Sequence, residues 1–115
     1  APTSHTYFDY YQGPPQSEPK AIGGDLPLEK VLQFELVPSV LNAEQARHIL
    51  GGQGQLWGEF ISDTRHLQYM TWPRAAALAE ILWSSKPGRN PESFRSRLTG
   101  HLKRLDAAQV YYRPL

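Results

Sequence analysis

Between Ala1 and Pro27 the chain places prolines at 2, 14, 15, 19 and 27 and glycines at 13, 23 and 24. Proline removes a backbone donor and clashes with the preceding helical turn, so no long helix can run through this stretch. The segment is predicted to be an extended opening followed by a long loop. Whatever core the chain builds must come mainly from the residues after Pro27.

Downstream the punctuation is sparser and the periodicity clearer. Leu28 to Phe34 is apolar at 28, 31, 32 and 34, the spacing of a short helix. Asn42 followed three residues later by Gln45 reads as a capping box, opening a second short helix through Ala43, Ala46 and Ile49 that stops at Gly51-Gly52. Gln53 to Ile61 (QGQLWGEFI) reads as one strand with a loop at its far end, its glycines permitting close backbone approach. Ser62 or Asp63 caps a helix over 63–71. Pro73 then suits the first turn of a new helix, and Pro73 to Trp83 is apolar almost all round, which predicts burial. Asn90-Pro91-Glu92 supplies a cap, a first-turn proline and a carboxylate at the positive helix end. Phe94, Leu98, Leu102 and Leu105 follow as one stripe, with Arg95, Arg97, Lys103 and Arg104 on a solvated face. One buried-type strand among helices is an incomplete fold, because such a strand needs neighbours on both sides.

Charge and composition exclude several function classes. Twelve basic against eleven acidic residues leave a net charge of +1, and the basic residues are scattered. Nucleic acid and anionic membrane are therefore not expected partners. No apolar run approaches the roughly 20 residues of a spanning helix, and no signal-peptide pattern opens the chain. Zero cysteines exclude disulfides, thiol nucleophiles and thiolate metal sites. His48, His66 and His101 have no ligand-like spacing, so neither a metal nor another cofactor is expected. Three Trp, six Tyr and four Phe are many for this length. Aromatic faces beside carboxylates suit a carbohydrate, although most of these rings read as core.

Three segments in register carry a more specific signal. They are Ser4-His5-Thr6-Tyr7-Phe8-Asp9-Tyr10-Tyr11-Gln12, then Gly52-Gln53-Gly54-Gln55-Leu56-Trp57-Gly58-Glu59, then Tyr69-Met70-Thr71-Trp72-Pro73-Arg74 continuing through Ala79-Glu80-Ile81-Leu82-Trp83-Ser84. In order and spacing they resemble the family 20 glycoside hydrolases, the β-N-acetylhexosaminidases. The resemblance implies an α/β fold: the C-terminal portion, about strands 7–8 and their helices, of a (β/α)8 TIM barrel that typically needs roughly 250 residues. Residues 1–115 are then a single partial domain, helix-rich as an isolated chain.

The resemblance also implies roles. The family removes terminal N-acetylglucosamine or N-acetylgalactosamine from glycans by a retaining route in which the substrate's acetamide oxygen is the nucleophile. Tyr7 would set its hydroxyl on that oxygen, Asp9 and Glu59 would accept hydrogen bonds from sugar hydroxyls, and Trp57 would lie against the ring face. The family's acid pair is an Asp-Glu dipeptide, and here no two acidic residues are adjacent. The chain alone is therefore expected to be inactive, with two rival readings: a weak N-acetylglucosamine-binding remnant, and a structural fragment that associates with itself or with the missing barrel half. His5 is expected to pack in a loop, Trp72 and Trp83 to be core, Glu80 to pair with a basic group such as Arg74, and the Tyr10-Tyr11 pair stays open. Family members are often exported, but the sequence carries no address.

Overall fold

The computed structural model describes residues 1–115. Six α-helices follow one another: α1 (Thr3–Thr6), α2 (Leu28–Leu32), α3 (Ala43–Ala46), α4 (Thr64–Thr71), α5 (Arg74–Trp83) and α6 (Pro91–Ala107), with 3-10 turns at Pro15–Ser17, Gly58–Phe60 and Lys86–Gly88. The expected strand over Gln53–Ile61 is reduced to a single parallel bridge between Tyr7 and Gln55. The Phe8 N–H donates to the Gln55 carbonyl at 2.6 Å, and the Gln55 N–H to Thr6 at 2.7 Å. The pairing goes no further because the partner segment turns after Tyr7, where the Tyr10 N–H donates to the Tyr7 carbonyl at 3.2 Å. A second parallel bridge joins Tyr11 to Asp25.

Helix boundaries follow local chemistry. Asn42 and Gln45 form the reciprocal capping box, but α3 ends at Ala46 and does not reach Ile49. Asp63 caps α4 by accepting the His66 N–H, and Asn90 caps α6 by accepting that of Ser93. Helix α6 ends with Gln109 at φ 57, while Val110 N–H returns to the Leu105 carbonyl and Gln109 N–H to Asp106, a Schellman-type close. The opening contains one helical turn, α1, that its prolines had not announced; Pro2 lies just before it, where no helical donor is lost.

The main core joins Phe8, Leu26, Leu28, Val31, Phe34, Ala77, Leu78, Ile81, Phe94 and Leu98. Helix α5 packs chiefly on α2, and α6 lays Phe94 and Leu98 against it. Trp83 departs from expectation: at 89% exposure it stands on the solvent side of α5, and Trp72 is only half-buried. An all-apolar helix needs cover on every face, and here only the Ala77–Ile81 face has it.

A second cluster, Ala21, Tyr69 and Met70, packs with Tyr11, Leu56 and Ile61. The Tyr69 hydroxyl donates to Glu18 Oε2 at 2.9 Å, and Arg113 Nε donates to Glu18 Oε1 at 2.7 Å. Burial, together with the negative charge of Glu18, pushes the Tyr69 phenol up to about 12. A folded value above the ordinary 10.0 means that the stability from this phenol is fully present below pH 10 and is lost as pH rises toward 12. Alkaline unfolding followed by circular dichroism is therefore expected to fall in that window, and Tyr69→Phe should flatten it. An unchanged alkaline limb in Tyr69→Phe would refute the assignment.

Candidate functional site

The Tyr7–Gln55 bridge brings two distant segments side by side in parallel. Just beyond it the first segment turns, the Tyr10 N–H donating to the Tyr7 carbonyl at 3.2 Å, and both Phe8 and Asp9 are buried, at 4% and 5% exposure. The close approach depends on Gly54: a β-carbon there would lie 2.9 Å from the Phe8 ring and 3.2 Å from Leu78. Gly24, at φ 65, lets the loop pass under the Tyr10 ring, where no side chain would fit.

Trp57 is extended and leads into the Gly58–Phe60 turn, which carries Glu59. The Trp57 ring is 52% exposed and Glu59 is exposed, whereas Tyr7 is half-buried with its ring 5.8 Å from that of Tyr10. Asp9 is the buried member, at 5% exposure, and its Oδ1 has no hydrogen-bond partner. Burial raises its carboxyl above the ordinary 3.8; its own backbone N–H and the Arg74 charge oppose the rise, and the Glu59 charge adds to it. The bridge sets the segment of Tyr7 and Asp9 beside the one that leads to Trp57 and Glu59, and the Asp9 carboxyl feels the Glu59 charge. His5 lies outside, stacked on Phe34 at 6.0 Å.

What the sequence reading missed is Arg74. Its guanidinium is fully buried and donates to the carbonyls of Met70, Tyr10, Leu26 and Phe8. Glu80 does not pair with it: Glu80 takes both guanidinium arms of Arg97, at 2.9 and 2.8 Å, across to α6. One signal pointed to Arg74. A cation in the first turn of a helix opposes the macrodipole, so an arginine there needs another reason.

Chemically, the site offers two carboxylates, a phenol and an open indole face, a set that accepts hydrogen bonds from hydroxyls and covers an apolar ring. No three His, Asp or Glu side chains converge as a metal site. The elevated carboxyl of Asp9 has a stability consequence. A raised folded value means that Asp9 stabilises the fold below pH 3.8 and loses that contribution as pH rises through the folded value. Asp9→Asn is therefore expected to raise the thermal midpoint at pH 7, with the gain vanishing below pH 3.8. A lower midpoint at pH 7 would show that the carboxylate is satisfied after all.

Comparison with known proteins agrees on one family. The profile of the glycosyl hydrolase family 20 catalytic domain matches residues 1–86. A beta-hexosaminidase from Porphyromonas gingivalis is 38% identical over 106 residues, 92% of this chain and 14% of that protein. The human beta-hexosaminidase subunit beta is 39% identical over 72 residues, 63% of this chain and 13% of its own length. A family 20 exo-β-N-acetylglucosaminidase from Vibrio harveyi, solved in complex with N-acetylglucosamine, superposes with a TM-score of 0.84 at 36% identity, covering 98% of this chain and 18% of that one. The chain thus spans about one seventh of the length of the curated relatives it matches.

Proposed function

We propose, since this chain belongs to the family 20 glycosyl hydrolases, that Tyr7, Asp9, Trp57 and Glu59 line one wall of a pocket for a terminal N-acetylhexosamine. Residues 1–115 form, in this reading, one partial domain: about strands 7–8 of a (β/α)8 barrel with their helices. The parallel Tyr7–Gln55 bridge carries the reading, because it sets the two pocket segments side by side as neighbouring barrel strands would lie. The unpartnered Oδ1 of Asp9 supports it further, as an acceptor awaiting a hydroxyl. Tyr7 orients the acetamide, Asp9 and Glu59 hold the outer hydroxyls, and Trp57 covers the apolar ring face. Half a pocket buries little ligand, so affinity is millimolar at best.

Hydrolysis in this reading needs an acid from an Asp-Glu dipeptide, and no two acidic residues of this chain are adjacent. Purified chain is therefore expected not to turn over a chromogenic aryl N-acetyl-β-glucosaminide. Activity present in the intact chain and lost in Trp57→Ala would overturn this and make Glu59 the first candidate acid. Calorimetry showing no heat with millimolar N-acetylglucosamine would remove the pocket reading.

A second reading, association with further barrel or with a second copy, rests on surface. The accessible area of 7281 Å² exceeds the roughly 6,300 Å² expected for a monomer of 13.0 kDa. The radius of gyration of 14.8 Å likewise exceeds the roughly 13.4 Å of a compact 115-residue domain. Val40, Leu50 and Trp83 are more than four-fifths exposed, at 86%, 96% and 89%. Elution as a monomer over a wide concentration range would count against self-association.

A further inference from the structure

We infer that Arg74 is the positioning residue of this site, tying the backbone on both sides of Asp9 to the start of α5 and so holding Asp9 opposite Glu59. The inference rests on the sugar-pocket reading and names the residue that would keep the pocket in shape. The geometry is specific. One guanidinium arm donates to the Tyr10 carbonyl at 3.0 Å and to Leu26 at 3.0 Å; the other donates to Phe8 and to Met70, and Nε also donates to Met70 at 3.2 Å. All five donors of the group are thereby spent on carbonyl oxygens, and two of those carbonyls, Phe8 and Tyr10, flank Asp9 in the chain.

No carboxylate is hydrogen-bonded to Arg74, although it is fully buried and sits in the first turn of α5, where the helix dipole disfavours a cation. A residue placed only to stabilise α5 would have neither feature. The charges that favour its ionised state are Glu18 and Asp9, while burial draws its guanidinium down to about 9, still charged at neutral pH. The Phe8 ring lies 5.1 Å from the guanidinium carbon. The ring and the two flanking carbonyls thus tie Arg74 to the residues on either side of Asp9. Around Asp9 the acting charges are Arg74, which favours its ionised form, and Glu59 across from it, which opposes it. Lysine cannot replace the fork, because its three donors radiate from one point and cannot reach carbonyls on separate segments together.

The test follows the Asp9 carboxyl carbon against pH in the 13C-labelled 115-residue chain. In Arg74→Lys that remains folded by circular dichroism, the Asp9 midpoint should rise by roughly half a pH unit or more, as the ammonium no longer sits where the guanidinium did. Leu102→Ala, which loosens the core from half-buried packing on α6, should leave the midpoint in place. Coincident titrations of Arg74→Lys and the parent chain would overturn the inference. So would an equal shift in Leu102→Ala, since that would make the effect one of general loosening. Should Arg74→Lys fail to fold, Asp9→Asn gives the reciprocal reading. The Arg74 guanidinium 15N–H resonances then move if the two groups are coupled, and unchanged resonances refute it. Added N-acetylglucosamine separates the two readings. Parent-chain resonances that ignore the sugar sink the pocket, while the carboxyl titration still judges Arg74.

Discussion

Arg74→Met should cost this chain about 3–5 kcal/mol, the sum left when several buried acceptors lose their donor and part of the guanidinium's burial cost is relieved. Four carbonyls lose their donor, and each buried polar group left unsatisfied costs about 1–3 kcal/mol. The opposing gain is relief from burying a guanidinium, and methionine fills part of the volume. That gain does not prevail, because four carbonyls stay behind unpaired and Asp9 loses the positive charge that favours its ionised form. Only 19 of 115 residues are buried, so the total stability belongs at the low end of the 5–15 kcal/mol usual for domains. The expected observation is loss of the cooperative urea transition, or a midpoint displaced by most of its value. A midpoint matching the parent chain would mean that the carbonyls find water in place of the guanidinium.

Phe8→Ala should be comparably severe, at about 3–5 kcal/mol, the usual range for an aromatic truncated in a packed interior. Phe8 belongs to the main core, lies over the Arg74 guanidinium and fills the space that Gly54 leaves open. Losing it hollows the junction of α5 with both bridged segments. The damage therefore reaches the site, because Tyr7 and Asp9 are the immediate neighbours of Phe8. Leu32→Ala, taken from the half-buried fringe of the same core, should cost less than half as much by urea titration. Equal losses would show that the core is too loose to distinguish its members.

These two side chains explain how so short a chain keeps two distant segments in register. The bridge between Tyr7 and Gln55 is a single pairing, too little to hold two segments in register. Register comes from the layer beneath, where Phe8 under Gly54 sets the spacing and Arg74 takes up the carbonyls that a longer sheet would have paired.

Local chemistry was legible in the residues. Asn42 with Gln45, Asp63 and Asn90 mark helix starts because a side-chain oxygen three residues ahead of a free N–H is a purely local arrangement. Of the stripe Phe94, Leu98, Leu102 and Leu105, three are buried as the spacing demands and Leu102 is half-buried. Tyr7, Asp9, Trp57 and Glu59 could be named from their motifs; the pairing of Tyr7 with Gln55 that sets their two segments side by side could not.

Other features depended on partners far along the chain. Gln53–Ile61 has the composition of a strand, but a strand exists only through its neighbours, and the neighbour here turns after Tyr7 and leaves one bridge. Trp83 reads as core because its helix is apolar all round, yet burial is decided by what packs on that face, and nothing does. Glu80, amid apolar residues, invites pairing with a basic group such as Arg74, but six residues along one helix put the two on different faces. Arg97, arriving from α6, takes the carboxylate, and the carbonyls of Phe8, Tyr10, Leu26 and Met70 take the guanidinium. Periodicity and capping are short-range and so are written in the residues themselves; pairing, burial and the environment of a charge are long-range, and only the folded chain decides them.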